Sequence, residues 1–310
     1  MGRRKKGRKV SGWIILDKPV GVTSTHAVSR VRRMFDAQKA GHAGTLDPLA
    51  SGILPLALGE ATKTVPYVMD GEKRYLFTVR WGIETTTDDT EGEPSATSDV
   101  RPDEEAILAA LPAFIGTIEQ VPPAFSAKRI DGERAYDLAR DGEVVELEPS
   151  TITIHDLAYL GSPDDDRALF EAHCGKGTYV RAIARDLGRA LGTCGHVTSL
   201  RRTQVGPFDE HATVTLDQLD SMEAPEDCDQ FLAPMADALG ELHEIQVVSG
   251  DAAKLRRGMS LLVRNHHTPN SAAPAHGEEA YAMEGDELVA IGIMDYGKFL
   301  PKRVIVQPED

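Results

Sequence analysis

The stretch Gly41-His42-Ala43-Gly44-Thr45-Leu46-Asp47-Pro48-Leu49-Ala50-Ser51-Gly52 places one carboxylate among three glycines. Its composition reads as a loop. Glycine lets a backbone come close to whatever the loop faces, and Pro48 stiffens the turn. An isolated Asp-Pro pair is most often only a turn or a helix start, so the flanks matter. Ile53–Leu58 follows as a short apolar run and reads as a buried strand. Upstream, Ala27, Val28, Val31, Met34 and Phe35 recur at helical spacing, with Thr23 or Ser24 placed to cap the helix. Arg30, Arg32 and Arg33 fall mostly outside that stripe, so the helix has a basic outer surface.

Charge extends the reading. The chain has 310 residues, is 41% hydrophobic and carries a net charge of −15. One large domain plus a small one is the expectation at this length. The net charge argues against a phosphate-rich partner, but its distribution does not. Residues 1–40 hold eleven Lys and Arg against Asp17 and Asp36, while acid gathers at 84–105, 164–166 and 217–244. A basic face on an acidic protein can grip phosphates in a salt-dependent way. Residues 1–10 read as a flexible basic arm; Arg3–Lys9 suits either an RNA grip or a plain solvated tail. No apolar run approaches the roughly 20 residues of a membrane span, and Asp17 and Lys18 stop Trp13–Leu16 from forming a signal-peptide core. A cytoplasmic protein is expected. Three cysteines make no disulfide framework and suit a reducing compartment. His173, Cys174, Cys194 and His196 match no zinc spacing, and no nucleotide-phosphate loop is present. No metal and no cofactor are therefore expected.

Further along, Trp13–Leu16 reads as a strand, Glu60–Met69 as a helix interrupted at Pro66, and Tyr75–Trp81 as a strand. Glu84–Ser98 is acidic and reads as a loop, Asp103–Leu111 as a capped helix, and Val121–Phe125 as extended chain. Gly132–Arg140 reads as a short helix; Val144–Leu147, Thr151–Leu160 and Ala168–Cys174 read as strands. Tyr179–Leu191 has an apolar helical face, and His196–Gln204 is a further strand. The acidic stretch Asp220–Glu241 reads as a linker. Beyond it, short strands at Ile245–Val248, Ser260–Val263, Glu279–Met283, Leu288–Met294 and Val304–Val306 predict a small β-rich module. The expected division is an arm over 1–10, a main domain over 11–235 and the module over 244–306.

The quoted loop resembles the signature loop of the TruB-type pseudouridine synthases, bacterial enzymes that modify the T-arm uridine at tRNA position 55. Gly12–Gly21 with its Asp17-Lys18-Pro19, Lys73-Arg74-Tyr75, Gly175-Lys176-Gly177-Thr178-Tyr179-Val180-Arg181 and Ser199-Leu200-Arg201-Arg202 agree in the family's order. The resemblance covers about residues 11–220; the tail resembles a PUA-like domain only loosely. It implies an α+β fold: a curved, mostly antiparallel mixed sheet with flanking helices, followed by a small β-rich module.

It also implies a chemistry. The bond from ribose C1′ to base N1 breaks, the base rotates, and it reattaches through C5. No redox change or group donor enters, so one carboxylate can suffice. Asp47 is the implied nucleophile; attack at C1′, proton removal from C2′ and addition to the ring all remain open. Arg181 is implied to pair with it, against the alternative of a phosphate-binding or surface arginine. Tyr75 is implied to lie against the target base, where a strand tyrosine is otherwise core. The base must leave its stack, and His42 is implied to fill the vacated space or stack on the flipped nucleotide. Tyr179 and Leu200 are implied pocket walls, with core packing the alternative. Lys18 is implied to contact phosphate or support the loop. The implied partner is the T-arm of tRNA, with no membrane, no protein partner and a monomeric protein. The alternatives are an RNA-folding chaperone, a guide-RNA-dependent synthase subunit, and an unrelated aspartyl hydrolase.

Overall fold

Strand β1 (Gly12–Lys18) alternates in the way a doubly covered strand must. Ile14 and Leu16 enter one apolar cluster, Trp13 and Ile15 another. The computed structural model describes residues 7–126, 128–130, 133–134, 147–268 and 273–306. Helix α1 (Ser24–Met34) begins where Thr23 Oγ1 accepts the His26 amide at 3.1 Å. Strand β2 (Ala40–His42) leads into the glycine loop, and β3 (Ser51–Leu58) leaves it. The expected helix at Glu60–Met69 is divided into a 3-10 turn, Gly59–Lys63, and helix α2 (Val65–Asp70). Pro66 stands at the start of α2, where its missing amide costs nothing.

The remaining main-sheet strands are β4 (Lys73–Trp81), β5 (Gly116–Gln120), β6 (Ser150–Asp164), β7 (Arg167–Cys174), β8 (Gly195–Val205), β9 (Phe208–Asp209) and β10 (Val214–Thr215). Their order is β10-β1-β3-β8-β4-β7-β6-β5, with β2 on β3 and β9 on β8. Every pairing is antiparallel except β1 with β10 and β3 with β8. The fold is thus the α+β mixed, mostly antiparallel sheet expected. Helix α3 (Glu104–Ala110) is capped by Asp103. Helix α4 (Val180–Ala190) lays eight buried positions against the sheet.

A second sheet holds β11 (His243–Gln246), β12 (Leu261–Leu262), β13 (Glu279–Glu284), β14 (Glu287–Asp295) and β15 (Lys298–Val304), in the order β11-β13-β14-β15-β12. It also carries a helix, Ser249–Arg256, that was not expected.

Three other expectations differ. Asp220–Glu241 is not a linker: Cys228, Ala238 and Leu239 are buried, and Ala233 exchanges both backbone hydrogen bonds with Trp13 at 2.8 and 2.9 Å. The basic arm is anchored from Arg8, whose guanidinium meets Asp229 at 2.6 Å and Glu226 at 3.1 Å. The helix expected at Gly132–Arg140 is contradicted where it is described: Glu133–Arg134 form a short strand paired antiparallel with Arg129–Ile130. The rest of that segment, most of the strand at Val144–Leu147 and the arm before Gly7 lie outside the described residues. Among the described residues no helix is long and apolar enough to cross a membrane.

Candidate active site

The loop after β2 is fixed at four points. Buried Ser24 donates from Oγ to the Leu46 carbonyl and accepts the Leu46 amide, both at 2.9 Å. The Gly21 amide donates to the Pro48 carbonyl at 2.7 Å. The Arg202 guanidinium, buried under the loop, donates to the carbonyls of Ile53 (2.8 Å), Thr45 (3.2 Å) and Gly44 (3.3 Å). Lys18 is fully buried, and its ammonium donates to the carbonyls of Pro19 (2.9 Å), Val22 (2.8 Å) and Pro48 (3.4 Å). Of the two readings of Lys18, phosphate contact and support of the loop, its geometry fits the second, because its donors are occupied inside the fold. Burial lowers its pKa to about 8, against the opposing pull of Asp47.

So held, the loop presents Asp47 at the edge of a cleft of about 440 Å³, within the roughly 300–1,000 Å³ of ligand pockets. The Asp47 carboxyl is one-third exposed, and the nearly buried Arg181 places Nε 2.9 Å from its Oδ2. The rest of that guanidinium is also engaged: Nη1 donates to Thr87 O at 2.9 Å and lies 3.5 Å from Asp89 Oδ2, and Nη2 donates to Phe125 O at 3.0 Å. An arginine satisfied on all sides cannot swing away, so it fixes where the Asp47 carboxylate points.

Tyr75 on β4 and Leu200 on β8 line the same cleft, with Tyr179 at the start of α4. Burial raises the Tyr75 hydroxyl pKa above its ordinary value, with Arg202 pulling the other way; burial raises that of Tyr179 too. Both phenols therefore remain neutral near pH 7. The structure thus brings Asp47, Arg181, Tyr75, Tyr179 and Leu200 together. His42 stands apart: it pairs with Leu56 in the sheet, two residues ahead of Gly44, where the cleft lining begins.

Sequence reading missed the supports. Ser24 was read only as a possible cap. Thr87 and Asp89 sat in a stretch read only as an acidic loop, yet Asp89 is buried. A signal was present: Thr85-Thr86-Thr87 is β-branched and leads straight into a tandem aspartate. Among the described residues no group of three His, Cys, Asp or Glu is gathered as for a metal ion.

The chain also resembles known proteins. The model of the TruB family pseudouridylate synthase N-terminal domain matches residues 32–180, and that of the tRNA pseudouridylate synthase B C-terminal domain matches residues 181–240. A protein of Caulobacter vibrioides named tRNA pseudouridine synthase B is 54% identical, over 98% of this chain and 99% of its own. One of the same name from Bradyrhizobium diazoefficiens is 54% identical, over 97% of this chain and 87% of its own. A crystal structure of a Cbf5-Nop10-Gar1 complex contains a similar chain, 26% identical with a TM-score of 0.71, covering 95% of this chain and 85% of that one. Alike along almost its whole length, the chain belongs to the TruB family of pseudouridylate synthases.

Proposed function

We propose that this protein converts uridine 55 in the T-arm of tRNA to pseudouridine, with Asp47 as the acting carboxylate. One observation carries the reading: Arg181 holds Asp47 at 2.9 Å on the edge of a cleft that Tyr75 and Leu200 wall. The uridine enters flipped out of its stack, at a cost of a few kcal/mol that stacking and edge contacts recover. Tyr75 offers a ring face to the uracil, and its neutral hydroxyl can donate a hydrogen bond. The Arg181 guanidinium holds the Asp47 carboxylate aimed at the ribose and base. The C1′–N1 bond breaks, the uracil turns within the walls, and C5 bonds to C1′; C5 gives up its proton to solvent or a nearby base and N1 takes one up, so product and substrate have the same composition. His42, on the strand leading into the loop, is the reading's candidate for the space that the flipped nucleotide leaves. The 243–304 sheet is its PUA-like second contact with RNA.

The tRNA substrate is supported by the names of the bacterial relatives. Their 54% identity, against 26% for the chain in the Cbf5-Nop10-Gar1 complex, favours a synthase acting alone over a subunit of a guided complex. Asp47→Asn tests the chemistry. Pseudouridine formation on an unmodified tRNA transcript is expected to disappear while tRNA binding persists; an active Asn variant overturns the assignment. Mapping pseudouridine in total tRNA with and without the protein checks position 55.

A further inference from the structure

Helix α4 carries two buried arginines one turn apart. Arg181 meets Asp47; Arg185 meets Asp88 through Nη1 at 2.9 Å. We propose that the Asp88–Arg185 ion pair is a positioning device for this active site, clamping residues 85–91 onto helix α4 so that Thr87 and Asp89 hold Arg181 on Asp47. The proposal rests on the reading of Asp47 and Arg181 above.

The geometry supports it from three sides. Arg185 Nη2 donates to Val121 O at 2.8 Å, so one guanidinium ties the 85–91 segment to the chain leading to Phe125, the other carbonyl on Arg181. The Asp88 backbone is engaged as well: its carbonyl accepts the Val197 amide of β8 at 3.0 Å. And Asp88 has φ +60°, a left-handed turn that aims Thr87 O and the Asp89 side chain toward α4 while its own carboxylate reaches Arg185. Asp88 and Arg185 touch nothing in the cleft, so they act through Arg181.

The pair is also set to titrate. Burial raises Asp88 to about 6, in spite of Arg185 and Arg181, and Glu84 pushes the same way. The other charged groups around it are Asp89, Asp186 on Arg185, Arg189 on Glu84, and His196, whose Nδ1 lies 2.8 Å from Ile83 O. Protonation of Asp88 removes the charge that holds Arg185 and loosens the clamp.

The test measures kcat and KM for pseudouridine formation on a tRNA transcript between pH 5 and 8.5, with tRNA affinity measured separately. Asp88→Asn keeps the shape and tolerates the left-handed turn but lacks the charge. A displaced catalytic group costs up to about 100-fold in rate, so this variant is expected to lose between about 10- and 100-fold in kcat. Its KM and tRNA affinity are expected to stay within about twofold of native. Native kcat is expected to fall below about pH 6, and that acid limb is absent in the Asn variant. Arg185→Lys retains the cation without the second prong to Val121, and its kcat lies between the two. A pair that serves the fold alone moves neither the limb nor kcat per folded molecule. Native kcat with an unchanged acid limb in Asp88→Asn overturns the proposal. If that variant does not fold, native kcat in Arg185→Lys overturns it. Asp47→Asn, run alongside, separates the cases: activity there removes the underlying reading, whereas a dead Asp47→Asn beside a fully active Asp88→Asn removes only the clamp.

Discussion

Gly52 shows how tightly single residues constrain the loop. It has φ +98° and faces Arg202 across the two-residue pairing of β3 with β8; a Cβ there would lie 2.2 Å from Arg202 O. Gly52→Ala must push those strands apart, and Arg202 carries the loop with it. The expected cost is at least about 3 kcal/mol in urea unfolding. Lys18→Met removes the donors of three inward-facing carbonyls. The expected loss is about 2–4 kcal/mol, with kcat lowered and tRNA affinity kept, read by unfolding and by steady-state assay. At this scale Asp47 and Arg181 were legible because the residues around each match a family pattern. The choice for Lys18 between phosphate and loop was not: a sequence shows that an ammonium is available but not that carbonyls surround it.

At the scale of elements, most strands and helices could be read from an apolar face at helical or strand spacing, or, as in β1 and β3, from a short apolar run buried on both sides. The segment 84–93 could not. Its acidic residues read only as a loop, yet Asp88 and Asp89 are buried and paired with Arg185 and Arg181 of α4. Charge identifies the type of partner a side chain seeks and not where the fold supplies it. This segment also carries a pH expectation. The Asp88 pKa rises from 3.8 to about 6 on folding, so between those values the folded protein binds the extra proton. This contribution to stability is present below pH 3.8 and is lost as pH rises through 6. The native protein is therefore expected to give up as much as about 3 kcal/mol from this group between pH 4 and pH 7; Asp88→Asn is not. Urea unfolding at the two pH values checks it, and the sign is opposite to that of the expected change in kcat.

For the whole molecule, the small β module was visible in its strand spacing. Its helix was not, because Ala252 and Leu255 are the only buried side chains it offers. The linker reading of 220–241 failed because its acid fraction hid the few apolar residues that pack. Overall charge matters here too. Arg32 and Arg33 lie in the last turn of α1 on a chain of net charge −15. Binding that depends on so local a basic surface is expected to weaken steeply with salt. A plot of log affinity against log salt should have a slope that becomes shallower by about one for each phosphate-contacting arginine replaced. Arg32→Glu with Arg33→Glu tests it; an unchanged slope places the contact elsewhere.

The seam between the two sheets is tied by segments about 240 residues apart in the chain. Lys63 donates to Val304 O at 2.7 Å, Arg303 to Lys63 O at 2.7 Å, and the Val306 amide to Glu60 at 2.9 Å. All three ties join the turn directly after β3 to residues 303–306. Removing residues 303–306 would open this latch while leaving every residue of the cleft in place, so the two sheets would part before the cleft lost a side chain.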